Sequence, residues 1–154
     1  MNIAGYTIKI FCIVSMIAVL FLGTRLADAT SPQIPAIEGY SPVSYFAEDK
    51  AEMGQARFSA EYKGKLYWFT SADQVDTFNS DPERYLPIFD AFCPYSLALG
   101  RQTPIDPTNF KIIAGQLLLF HRSEEFDALE AWNNADDDLE LLRRAKSTFL
   151  SIEF

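Results

Sequence analysis

The stretch "RFSAEYKGKLYWFTS", from Arg57 to Ser71, restricts the fold more than any other part of the chain. Two runs of alternating polar and apolar residues flank Lys63-Gly64. Period-two alternation across a two-residue turn ending in glycine is the signature of an antiparallel hairpin. Phe58, Ala60 and Tyr62 share one face of the first strand. On the return strand, either Leu66, Trp68 and Thr70 or Tyr67 and Phe69 face the same way. Ser71 with Gln74 three residues on forms an S-x-x-Q capping box. Val75 and Phe78 then lie on one face of a short helix that must stop before Asp81-Pro82.

"NFKIIAGQLLLF", from Asn109 to Phe120, repeats the device around Ala114-Gly115. "SEEFDALEAW" predicts a helix capped by Ser123 with Phe126, Leu129 and Trp132 at helical spacing. A last helix opens on Asp136, Asp137 and Asp138 and carries Arg143, Arg144 and Lys146 toward its end, which suits the helix dipole at both poles. Leu139, Leu142, Ala145 and Phe149 are its expected buried stripe. The aspartate run is therefore a cap and solvated face, not a calcium loop, which needs glycine and spaced oxygen ligands. The fold class expected is α+β: a small antiparallel sheet from two β-hairpins with helices packed on one face.

The N-terminus follows different rules. Lys9 precedes an apolar run, Ile10 to Gly23, that is long for a core strand and short for a membrane span, and Ala27-Asp28-Ala29 supplies small residues at a signal-peptidase spacing. Residues 1–29 read as a signal peptide cut before Thr30. The competing reading is an uncleaved N-terminal membrane anchor. Cleavage removes Lys9, Arg25 and Asp28, two cations and one anion, and so moves the net charge from −8 to −9. It also removes Cys12, leaving Cys93 as the single cysteine and no intramolecular disulfide in an oxidising compartment. After cleavage no stable membrane span remains. Residues 30–36, "TSPQIPA", form an extended linker, and residues 37–154 form one folded domain.

With 49% hydrophobic residues the chain has enough apolar material for a core. Its charge of −8 and its scattered cations exclude nucleic acid as a partner. No serine elbow, glycine-rich phosphate loop or H-E-x-x-H is present, so catalysis is not indicated.

"IEGYSPVSYF", from Ile37 to Phe46, followed by "YKGKLYWFTS", Phe78, "DPERYLP", "AFCPY" and "PIDP", closely resembles the YHS domain family, in its exported single-domain branch. The blocks occur in the family's order over nearly all of residues 37–154. The resemblance implies an exported binding or accessory domain, in a periplasm or secreted, with a transition metal, a small ligand or an envelope protein as its partner. In the metal-binding relatives three cysteines stand at positions that fall here on Ser44, Thr70 and Gln74. None is a soft ligand. Copper or zinc binding is therefore expected to be weak, with Cys93 and His121 as the remaining candidate ligands. This chain also has Asp90 and Ala91 where the branch has two glycines.

Cys93 is either a functional thiol, as a metal ligand or in redox chemistry, or a small buried hydrophobe between Phe92 and an apolar helix start. The apolar neighbourhood favours burial. His121 is either a second ligand or the exposed end of a strand. Six tyrosines, Tyr40, Tyr45, Tyr62, Tyr67, Tyr85 and Tyr95, offer hydroxyls to line a pocket or are core residues with wetted tips. Beside the binding module stand two alternatives: a structural or protein-interaction domain with Cys93 in its core, and a thiol-based redox protein.

Overall fold

The structure, a computed structural model, describes residues 33–153. The signal-peptide and anchor readings, Cys12 and residues 30–32 of the 30–36 linker lie outside the described residues. Six helices and two hairpins follow in the order α1 (Ser44–Ala47), β1 (Gln55–Tyr62), β2 (Lys65–Phe69), α2 (Ala72–Ser80), α3 (Pro82–Tyr85), α4 (Pro94–Ala98), β3 (Phe110–Ile113), β4 (Gln116–Leu119), α5 (Ala128–Asn133) and α6 (Asp138–Glu153). The fold class is α+β.

Both hairpins turn where the sequence says they must. Lys63 and Gly64 have φ of 50° and 72°, Ala114 and Gly115 of 49° and 75°, so each two-residue loop has positive φ at both positions, as a type I′ turn requires. The ladders pair Tyr62 with Lys65 and Ala60 with Tyr67 in one hairpin, and Ile113 with Gln116 in the other. A bulge shifts the register of β1 between Gln55 and Ser59. The hairpins keep separate two-stranded ladders, and β4 is bridged in parallel to the segment after α3, Pro87 to Leu117, with the Ile88 N–H donating to the Leu117 carbonyl at 3.1 Å.

Tyr67 and Phe69 point inward from β2 onto Phe78 of α2, with Phe58, Ala60 and Tyr62 of β1 packed beside them. In β4 the residues alternate between two cores. Leu117 and Leu119 pack with Tyr45, while Leu118 and the following Phe120 pack with Phe89, Cys93, Leu97 and Trp132. A strand covered on both faces reads as an unbroken apolar run, which explains "LLLF". Gly54 is fixed by proximity: a Cβ there would stand 2.6 Å from the Trp68 carbonyl carbon and 2.7 Å from the Phe69 nitrogen.

Two helix expectations are corrected. The helix expected from Ser123 begins at Ala128, with Asp127 as its cap, and Phe126 precedes it and is half exposed. Asp127 wins because its carboxylate accepts the Leu129 and Glu130 N–H groups at 2.9 and 3.2 Å and is also held from outside the helix. In α6 the capping residue of the expected aspartate run is Asp137, which accepts the Leu139 and Glu140 N–H groups. Leu139, however, is 71% exposed, while Leu142 and Ala145 are buried and Leu141, Phe149 and Ile152 pack against that core. At 100° per residue Leu139 lies well to one side of the stripe that these five define.

Candidate functional site

Ser44, Thr70 and Gln74 meet around the Gln74 amide. Gln74, in the first turn of α2, receives the Thr70 N–H on Oε1 at 3.2 Å and the Ser41 hydroxyl on the same oxygen at 2.7 Å, and its Nε2 donates to Ser44 Oγ at 3.0 Å. A backbone N–H only donates, so the amide oxygen must face Thr70 and the orientation of the whole network follows. Ser41 and Ser44 are fully buried. The expected capping box is half formed. Ser71 Oγ accepts the Gln74 N–H at 3.3 Å, but the Gln74 side chain turns away from Ser71 toward the serines. Hydroxyl and amide oxygens already committed to one another are hard, neutral donors. They do not fit a soft copper or zinc ion.

A second polar hub ties β3 to α5. Asn109 is 1% exposed. Its Nδ2 donates to Asp127 Oδ1 at 2.9 Å and to the His121 carbonyl at 3.2 Å, and its Oδ1 accepts from Arg122 at 2.8 Å. Arg122 Nε closes the ring onto Asp127 Oδ2 at 3.0 Å. Desolvation pushes the Asp127 carboxyl up. Hydrogen bonds from Asn109, the Glu130 N–H, Arg122 and the Leu129 N–H outweigh it and bring the pKa down to about 2. Asp106 orders the neighbouring Pro104–Pro107 turn by accepting the Thr108 N–H and hydroxyl.

Cys93 is fully buried at the start of α4, its N–H donating to the Thr103 carbonyl and its own carbonyl accepting from Leu97. His121 is partly exposed and donates from Nδ1 to the Pro104 carbonyl at 3.0 Å. Among the described residues no group of three or more His, Cys, Asp or Glu side chains is placed to hold a metal ion. Asp90 has φ of 52°, the left-handed conformation that glycine adopts freely. Its carboxylate takes the Lys65 ammonium at 2.6 Å.

The tyrosines divide by role. Tyr45 is fully buried and donates to the Pro107 carbonyl at 2.8 Å; burial, then the nearby Tyr40, Asp106 and Glu38, hold its phenol far above the usual tyrosine range. Tyr62 donates to Glu83 at the surface. Tyr67 is 3% exposed, and among the described residues its hydroxyl has no hydrogen-bond partner. It lines a cleft of about 420 Å³ with Pro35, Ile37, Pro87, Ala91 and Ile105, and a second hollow of about 400 Å³ with Leu86, Ile88 and Phe149. Lys65, Pro87 and Asp90 line both with it, so the two hollows adjoin over one patch of wall.

Sequence reasoning offered Tyr67 only as one of six and offered Asn109 not at all. A single asparagine before a strand carries no pattern, and its three partners come from segments 12 to 18 residues away. No protein-family model, curated protein or solved structure matches this chain.

Proposed function

We propose that this chain is an exported YHS-like binding or accessory module that recognises a small ligand or envelope partner without a soft-metal centre. The observation that carries this reading is the convergence of Ser44, Thr70 and Gln74. Ser44, thirty residues before Gln74 in sequence, accepts from its amide, and the Thr70 N–H, four residues before it, donates to the same amide, so the three positions picked out by the resemblance are joined by hydrogen bonds. The left-handed Asp90, in a glycine position of the branch, supports the same alignment. Among the described residues no helix is long and apolar enough to cross a membrane. Export rests on Lys9, the apolar run and Ala27-Asp28-Ala29.

Metal content tests the reading from both sides. Protein isolated from its own compartment and dialysed against a chelator should retain less than a tenth of an equivalent of copper or zinc. The triple variant Ser44→Cys, Thr70→Cys, Gln74→Cys, which restores the three thiolates that the resemblance implies for a metal site, should retain one Cu(I) per chain. Stoichiometric metal in the unaltered protein, or none in the variant, would overturn it.

The burial of Cys93 favours a second reading, a structural or protein-interaction domain in which the thiol only fills space. A maleimide should then react with folded protein far more slowly than with protein in denaturant. Equal rates would instead support the thiol-redox alternative.

A further inference from the structure

Two tyrosines among the described residues have buried rings, Tyr45 and Tyr67, and their hydroxyls differ. Tyr45, equally buried, gives its hydroxyl to a carbonyl, whereas the Tyr67 hydroxyl opens onto the cleft with no protein acceptor among the described residues. The Tyr67 ring is buried but its hydroxyl reaches the cleft, so an acceptor seated in the cleft can take the donor that no protein group takes. The walls around it are apolar: Pro35, Ile37, Pro87, Ala91 and Ile105. One wall is built at a cost, since Ile37 and Glu38 both hold φ of 53° before Gly39 at 86°. A β-branched residue in the left-handed region is strained by about 1 to 2 kcal/mol, and such strain persists only where packing overrides it. Ile37 packs here against both the Tyr67–Phe69 and the Tyr45–Leu117 cores.

The charges around the cleft select among ligands. Lys65 is neutralised by Asp90 and Lys63 by Glu83, and Glu38 adds a carboxylate to the wall. Burial first, then Asp90 and Glu83, push the Tyr67 phenol up to about 12, so it stays a donor at every physiological pH. An anion entering here meets carboxylates and no free cation among the lining residues. An uncharged acceptor meets a hydroxyl that lacks one.

We propose that the cleft over Tyr67 is a binding site for a small, uncharged, mostly apolar molecule bearing one carbonyl-type acceptor, to which Tyr67 Oη–H donates. This deepens the binding-module reading and rests on it. The walls exclude water from the ligand's apolar body, and the single phenol fixes its orientation.

Acetophenone, ethylbenzene and benzoate, similar in size but different at the polar end, test it on protein purified from cells expressing the full chain. The readout is the methyl resonances of Ile37, Ala91 and Ile105. Acetophenone should shift all three saturably and benzoate should bind more weakly. Tyr67→Phe, which keeps the ring in the core, should weaken acetophenone about three- to tenfold, the worth of one hydrogen bond, and leave ethylbenzene unchanged. Ala91→Leu, at an exposed position on the wall, should weaken both neutral probes. No saturable shift at these methyls, an undiminished affinity in Tyr67→Phe, or benzoate binding as well as acetophenone would overturn the site. These outcomes leave the metal measurements untouched, so failure of this site and failure of the metal-free module are read separately.

Discussion

The two hairpins share one local code and have opposite fates. Each turns through a two-residue loop ending in glycine, yet β1 shows most of its residues to solvent while Leu117, Leu118 and Leu119 of β4 are all buried. Each is also tied to a helix by a polar hub, and the hubs differ in kind. Ser41, Ser44 and Gln74 form a neutral network at α2, whereas Asn109, Arg122 and Asp127 form a charged one at α5. Turn chemistry sets that a hairpin forms. What packs on its two faces sets what the hairpin is worth to the fold.

The largest effect should come from deleting a β4-side aromatic. Phe120→Ala removes a fully buried ring stacked edge-on against Trp132 with centroids 5.4 Å apart, and should cost about 3 to 5 kcal/mol in denaturant unfolding. Phe58→Ala, on a half-covered position of β1, should cost about 1 kcal/mol. Equal losses would break the comparison.

Next come the glycines. Gly54→Ala forces a methyl onto the backbone of β2 and should cost about 2 to 3 kcal/mol, with the near-ultraviolet signal of Trp68 altered. At Gly115 a Cβ meets nothing within 4 Å, so Gly115→Ala should cost only the left-handed backbone term, about 1 kcal/mol.

Acid should separate the hubs. The Asp127 pKa is depressed from 3.8 to about 2, so its contribution is fully present above pH 3.8 and is lost as pH falls through 2. With the side chain 30% exposed, solvent screening holds that contribution to about 1 kcal/mol. Amide protection of Leu129 and Glu130, corrected for intrinsic exchange, should fall across this window and that of Thr70 and Gln74 should not. Asp127→Asn should abolish the difference.

The smallest effect lies in the turns themselves. Ala114→Asn replaces a left-handed alanine by a residue that tolerates that conformation and should raise stability by about 0.5 kcal/mol. A loss would mean that the Ala114 methyl makes a contact outweighing its backbone strain.

What the sequence by itself determined here was local. Lys63-Gly64 and Ala114-Gly115 specified both turns, Ser71 the start of α2, the Asp136–Asp138 run the capped start of α6, and the apolar flanks of Cys93 its burial. Each depends on residues within a few positions, where backbone sterics and side-chain reach act before anything else folds. Only the tertiary structure decided the rest. It moved the start of α5 from Ser123 to Asp127, because Asn109 and Arg122 reach that carboxylate from outside the helix. It turned Leu139 to solvent, because the neighbours of α6 set which face is buried. It drew Gln74 away from the expected capping box to two buried serines some thirty residues earlier. It also left the Tyr67 hydroxyl over a cleft whose walls come from four separate stretches of chain. Sequence spacing carries no record of such meetings, since they exist only once the hairpins have docked and the cost of closing those loops has been met.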